Sequence, residues 1–340
     1  MIMKRSLCVL GLFLALGLLI FAGGTKEGTS KSQEAQKFQI SISYGGAEGA
    51  EDDICAKEFK KRIEEKSNGS VTVKLYGSEQ LGKEVDIVNQ LQLGSVDMAI
   101  MGTTIHEQAA PEYNIWSAYY IFQNGKEIMQ VLNGPIGKKM QAAMLNNKGI
   151  RIIGYGLRGP RHLTSNRPIK TAADVKGLKI RIPLQPIYVE SWKALGAFPQ
   201  AIPLGELYIS LKQGIVEAQE NPLSYIYSLA FYEVQKYVNL TGHQRAFFTY
   251  VMSEKTFQRL TPELQKLFIE EGKFITTFHN DLQDRSEADY RSKLEGKGMQ
   301  FIDVDQKSFQ DALKDIPKKF SEKWVPNLYE DILNEISKMR

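Results

Sequence analysis

From Lys37 to Tyr44 apolar residues fall at every second position, Phe38, Ile40, Ile42 and Tyr44, the period of a half-buried strand. A glycine-rich loop, Gly45 to Gly49, leads to Glu51, Asp52 and Asp53, acids that suit a helix N-terminus. From there Ile54, Phe59 and Ile63 carry a helical pattern to about Lys66. Asn68-Gly69 turns the chain into a second strand, Val71 to Tyr76. A helix from Glu84 to Leu93, closed by Gly94, then passes into the strand-like Val96 to Met101. Helix, glycine and strand recur as Leu-x-x-Gly-x-Val-acid in "LQLGSVDMA" (Leu91 to Ala99) and "LKQGIVEAQ" (Leu211 to Gln219), which suggests two lobes of similar construction. Long helices are expected from Thr261 to about Leu294 and from Gln306 to Met339. The fold class is therefore α/β with additional C-terminal helices.

"KGLKIRIPLQP", Lys176 to Pro186, contains a short strand in which Leu178, Ile180 and Ile182 share one face and Lys179 and Arg181 the other. Lys179 can be solvated. Arg181 sits at the C-terminal end, where ligands collect in open α/β sheets.

The N-terminus pairs Lys4 and Arg5 with an apolar run, Leu7 to Ala22, followed by small residues. This is the form of a secretory signal, residues 1–24, and implies a periplasmic protein. Residues 25–36 are polar and aperiodic and read as a flexible leader. Cys55 is the sole cysteine after that run, so no internal disulfide is expected. Taking the two charges of Lys4 and Arg5 from the formal +4 leaves +2, too balanced for a nucleic-acid partner. His106, His162, His243 and His279 lack metal-ligand spacing, and no nucleophile elbow or phosphate loop is present. The paired acids Asp52-Asp53 and Glu64-Glu65 read as solvated helix surface. No enzyme, metal or cofactor is expected.

The segments "EKSNGSVTVKLYGSEQLGKE" (Glu65 to Glu84), "TSNRPIKTAADVKGLKIRIP", "LGAFPQAIPLGELY" and "VEAQENP" stand in an order and spacing that resemble the solute-binding proteins of tripartite ATP-independent periplasmic (TRAP) transporters, dicarboxylate-binding type. The resemblance implies a two-lobe, periplasmic-binding-protein-like fold with a hinge, lobe-crossing helices and C-terminal helices. Lobe I would comprise 37–158 plus about 247–286, and lobe II 159–246 plus about 287–340. It implies a monomeric receptor that captures a small organic acid between the lobes and delivers it to the small and large integral membrane subunits. A sugar-acid-processing enzyme or a sensor ectodomain on the same scaffold is the alternative.

By the same resemblance Arg181 pairs bidentately with the ligand carboxylate, as a planar guanidinium can and a lysine cannot. Arg161 takes the position of a second arginine, with Arg158 its competitor, while Arg167 stabilises the lobe. Asn221 takes the position of a ligand-binding asparagine. Glu84 is a candidate acceptor for ligand hydroxyls. Tyr188 and Leu204, with Trp116 and Tyr119, suggest aromatic and aliphatic walls, and His243 lies near a lobe crossing. Sialic-acid-binding members carry an asparagine and a glutamate where this chain has Gly45 and Gly102, which disfavours that ligand.

Overall fold

The computed structural model describes residues 37–340; the expected export signal and leader lie outside the described residues. The first alternation forms β1 (Phe38–Tyr44), burying Ile40, Ile42 and Tyr44. It is followed by α1 (Glu51–Lys66), β2 (Val71–Tyr76), α2 (Glu84–Leu93) and β3 (Met98–Met101). Gly94 ends α2 at φ +79°, a left-handed conformation that glycine adopts without steric cost. Next come α3 (Thr104–Ala109), α4 (Gly125–Asn133), α5 (Pro135–Lys148), β4 (Ile150–Leu157), β5 (Arg161–Ser165), β6 (Lys179–Ile182), α6 (Pro186–Ala194) and β7 (Phe198–Ala201). The chain continues through α7 (Leu204–Lys212), β8 (Ala218–Asn221), α8 (Leu223–Ser228), β9 (Tyr237–Gln244), β10 (Phe247–Ser253) and α9 (Glu254–Arg259). It closes with α10 (Pro262–Gly296), β11 (Gln300–Ile302), α11 (Gln306–Leu313) and α12 (Leu328–Ser337).

These strands build two sheets, a five-stranded one ordered β2-β1-β3-β10-β4 and a six-stranded one ordered β11-β9-β5-β8-β6-β7. In the first, β1 runs parallel to β2 and β3, and β10 is antiparallel to both β3 and β4. In the second, β6 runs parallel to β7 and β8, while β5 is antiparallel to β8 and β9. The α/β class and the two-sheet construction agree with the sequence pattern.

Three connections link the sheets. The chain leaves the first sheet after Leu157, joins the second at Arg161, and returns between Gln244 and Phe247. The third connection is α10, whose 35 residues span roughly 50 Å at 1.5 Å per residue and lead from the β10 side to β11. It lies very close to β4: a Cβ on Gly272 would come within 2.0 Å of the Ile153 carbonyl oxygen, so the approach requires glycine. Thr261 caps its start, accepting from the Leu264 N–H at 3.4 Å.

Two expectations are corrected. The helix expected from Gln306 to Met339 is broken into α11, a 3₁₀ turn (Pro317–Lys323) and α12. Pro317 and Pro326 lack the N–H an α-helix interior needs, and Asn327 adopts φ +63°. The last helix rests on α4, with Gln130 Nε2 donating to Glu335 Oε1 at 2.9 Å, and just before it the Val325 N–H donates to the carbonyl of Glu112, in the 3₁₀ turn after α3, at 2.9 Å. Asp52 and Asp53 are buried rather than solvated, because they turn back to satisfy the preceding loop. Asp52 accepts from the Gly46 N–H (2.8 Å) and the Tyr225 hydroxyl (2.7 Å), and Asp53 from the Gly49 N–H and the Tyr44 hydroxyl (each 2.9 Å).

Candidate functional site

The register of β6 places Arg181 opposite Gln200 of β7 and Gln219 of β8, near the C-terminal end of a parallel run. Its neighbours Ile180 and Ile182 are fully buried on the other face. Arg181 is itself only 4% exposed. Its Nε donates to the Ile202 carbonyl oxygen at 2.7 Å, and no carboxylate among the described residues lies within ion-pair distance. Burial pushes its guanidinium down to about 10 even though Glu220, Glu84 and Glu79 pull the other way. Arginine stays protonated regardless, so the depression marks a desolvated cation lacking an anion.

Arg161, at the start of β5, is in a different situation. Its Nε and Nη2 clasp both carboxylate oxygens of Glu220, and Nη2 also reaches the Glu220 carbonyl (2.6 Å) and Asn221 Oδ1 (3.1 Å). Burial alone would raise Glu220, but the Arg161 charge and hydrogen bonds from His243 and Arg161 hold it down to about 2. His243 stands behind this pair, its Nε2 3.0 Å from Glu220 Oε2 and its Nδ1 2.8 Å from the Thr241 hydroxyl. Asn221, ending β8, donates to Gln219 Oε1 at 2.6 Å.

Six of the seven expected residues, Arg181, Arg161, Asn221, Glu84, Tyr188 and Leu204, line one cavity of about 50 Å³ between the two sheets. His243 does not line it. Tyr188 hydrogen-bonds to Gln244, and its ring packs edge-on against Tyr119 at 5.1 Å. Trp116 and Tyr119, expected as walls, belong to the packing behind Tyr188; Trp116 Nε1 points to Met140 Sδ. Their aromatic character alone cannot distinguish wall from core.

Arg158, expected only as a competitor of Arg161, holds the more telling position. It is 8% exposed and its guanidinium lies over the rings of Phe248 (4.2 Å) and Tyr225 (4.5 Å). Its Nε and Nη2 are buried with no hydrogen-bond partner. A Cβ on Gly102 would sit 3.4 Å from Arg158 Nη1 and 3.8 Å from Glu84 Oε1, so the bare glycine keeps the space between cation and carboxylate open. Glu51 and Asp52, behind Tyr225, are raised by burial and partly offset by the Arg158 charge.

The cavity is shut by contacts between connections of the two sheets. The Gly205 N–H donates to Glu79 Oε2 at 2.7 Å, Lys83 Nζ meets Glu206 Oε1 at 2.6 Å, and Gln185 Nε2 reaches the Thr103 and Thr104 hydroxyls at 3.2 Å each. Burial raises Glu79. Among the described residues no group of three or more His, Cys, Asp or Glu side chains is placed to hold a metal ion. The site has cations, hydroxyls and amides. Once the space is opened, such a lining can grip a small polyhydroxylated anion; the Thr241 hydroxyl, His243 and Glu220, which hydrogen-bond in line, stand behind the wall and do not line the cavity.

Residues 46–323 match the family described as bacterial extracellular solute-binding protein, family 7 (DctP). The chain belongs to that family. DctP proteins are the solute-binding receptors of TRAP transporters, so this chain is an extracytoplasmic transport receptor for organic acids and not an enzyme. A solute-binding protein of Roseobacter denitrificans is 34% identical over 286 residues, covering 84% of this chain and 88% of its own. The 2,3-diketo-L-gulonate-binding periplasmic protein YiaO of Escherichia coli is 28% identical over 309 residues, 90% of this chain and 93% of its own. A TRAP periplasmic solute binding protein from R. denitrificans with bound L-galactonate superposes with a TM-score of 0.83 at 32% identity, covering 88% of this chain and 99% of that one. The two-lobe DctP fold accounts for the two sheets and the cavity between them.

Proposed function

We propose that this DctP receptor captures a sugar acid of the aldonate or uronate class, with its carboxylate on Arg181 and Arg158 and its hydroxyls toward Glu84, Asn221 and Gln185. The observation that carries this reading is the pair of buried guanidinium groups without carboxylate partners in one cavity. Arg161, by contrast, is neutralised by Glu220 and acts as a fixed wall that presents Asn221. Each charge-assisted hydrogen bond to the ligand would contribute about 1.5–3 kcal/mol. The ligands of the similar proteins, L-galactonate and 2,3-diketo-L-gulonate, support the class.

The cavity of about 50 Å³ is far below the roughly 300–1,000 Å³ of ordinary ligand pockets, so ligand exchange requires the lobes to part. We assign lobe I to 37–158 with about 247–286 and lobe II to 159–246 with the chain from about 287. The connections at 158–160 and 245–246 serve as hinge. The last helix, resting on α4, crosses back from lobe II onto lobe I. Residues 1–24 act as a cleaved export signal. The closed, loaded monomer hands its ligand to the small and large membrane subunits.

Calorimetric titration with L-galactonate, D-glucuronate and the uncharged alditol galactitol tests the ligand class. A sugar acid should bind with micromolar or tighter affinity, and galactitol should not bind. Equal binding of galactitol, or binding of no sugar acid, would refute the reading. X-ray scattering should show compaction with the ligand bound.

A further inference from the structure

A second, larger cavity of about 520 Å³ lies behind the strand crossings and shares no lining residue with the sugar-acid cleft. Its walls come from three places: residues 119–123, the crossings at Pro160 and Arg245 with the adjoining His162 and Gly242 of β5 and β9, and the C-terminal segment from Gln306 onward. The size falls within the range of small-molecule pockets, roughly 300–1,000 Å³. One side is apolar, formed by Phe122, Leu313, Tyr329 and Leu333.

Its charges are of one sign. Arg245, Lys314 and Arg340 line it, and no aspartate or glutamate does. Arg340 is already held, by Glu127 (Nε to Oε1, 2.9 Å) and the Ile121 carbonyl. Arg245 is half-buried and, like Lys314, makes no hydrogen bond or ion pair through its side chain among the described residues. The carboxylates that sense Arg245 through space, Glu127 and Glu287, lie outside the wall, and Glu127 is committed to Arg340. A half-buried guanidinium without a carboxylate partner, facing a carboxylate-free chamber with one apolar side, is stabilised by an anion that also carries an apolar body.

We propose that this cavity is a second binding site, for a small aromatic or alicyclic carboxylate whose charge meets Arg245 and Lys314 while its ring packs on Phe122, Tyr329 and Leu333. It differs from the cleft in its ligand. The cleft is lined by polar groups suited to many hydroxyls, whereas this chamber offers one apolar side and, beside the already paired Arg340, two cations without partners.

The test is ligand-observed NMR and calorimetry with benzoate and 4-hydroxybenzoate, using benzyl alcohol as the uncharged probe, on wild type, Arg181→Ala, Arg245→Gln and Lys314→Gln. Thermal melts would check that each variant folds; Lys314 is exposed, so its variant keeps the test available if Arg245→Gln does not fold. The benzoates should bind wild type and Arg181→Ala alike, and weaken at least about tenfold in Arg245→Gln and several-fold in Lys314→Gln. Benzyl alcohol should bind far more weakly. No benzoate binding to wild type, equal binding of benzyl alcohol, or binding lost in Arg181→Ala but kept in Arg245→Gln would each overturn the site. The last result would place the probe in the sugar-acid cleft, so failure here is distinguishable from failure of the cleft reading.

Discussion

Glu220→Gln tests whether Arg161 is architecture and not a ligand-seeking cation. The substitution keeps the shape of the side chain and one carbonyl acceptor but removes the negative charge. Arg161 is 3% exposed with Nε and Nη2 on that carboxylate, and it would be left as an uncompensated buried cation. Breaking a buried pair in this way costs about 3–5 kcal/mol. At about 2.1 cal/mol/K per residue, a folded region of roughly 300 residues has an unfolding entropy near 0.6 kcal/mol/K, so the ligand-free Tm should fall by about 5–8 °C. The pH dependence should change as well. Glu220 is held down to about 2 against an unfolded value of about 4.3. Its contribution to stability is therefore full above about pH 4.3 and is lost as the pH falls toward 2. Calorimetric melts at neutral pH and along the acid limb measure both effects, and the variant should show the shallower acid limb. A Glu220→Gln protein that melts within about 1 °C of wild type, with an unchanged acid limb, would refute the assignment.

Three further outcomes follow from the geometry. Arg158→Gln should lose at least about tenfold in sugar-acid affinity while the ligand-free protein still folds, its Tm lowered only by the lost contacts with the Phe248 and Tyr225 rings and with the Glu51 and Asp52 charges; calorimetry and melts read both. Gly102→Val fills the space between Arg158 and Glu84 and should abolish sugar-acid binding while the apo protein still folds, seen by titration beside circular dichroism. Burial, reinforced by the Glu51 charge, pushes Glu287 up to about 7, so its protonated form is favoured in the fold. The stability it contributes is full below about pH 4.3 and is lost as the pH rises through about 7; Glu287→Gln should flatten that decline in a Tm-versus-pH series.

Much of this was written locally in the chain. The alternation of Leu178, Ile180 and Ile182 placed Arg181 on the opposite face, and β6 has that register. The Phe38 to Tyr44 alternation and the Gly94 stop likewise mark elements set by neighbours in sequence. What local pattern could not show was partnership across long separations. Arg161 and Glu220 stand 59 positions apart, and only the antiparallel register of β5 with β8 brings them together. That pairing separates Arg161, which is neutralised, from Arg158, which is not. His243 was near the site in the chain but lies behind Glu220, one layer removed from the cavity. Asp52 and Asp53 resembled ordinary helix-start acids until the loop from Gly46 to Gly49 folded onto them. The break in the C-terminal helix could have been anticipated, since Pro317 and Pro326 both interrupt it.

The most direct test of the carboxylate-binding site is the affinity of wild type and Arg181→Lys for whichever of L-galactonate and D-glucuronate wild type binds more tightly. Lysine retains the charge but removes the planar pair of donors, so one ligand oxygen loses a charge-assisted hydrogen bond worth about 1.5–3 kcal/mol, or roughly 10- to 150-fold in Kd. The ligand-free Tm should fall little, because Arg181 has no carboxylate partner among the described residues and only its hydrogen bond to the Ile202 carbonyl oxygen to lose. An Arg181→Lys receptor that binds the sugar acid as tightly as wild type, or a wild-type receptor that binds neither acid, would contradict the assignment of this cleft.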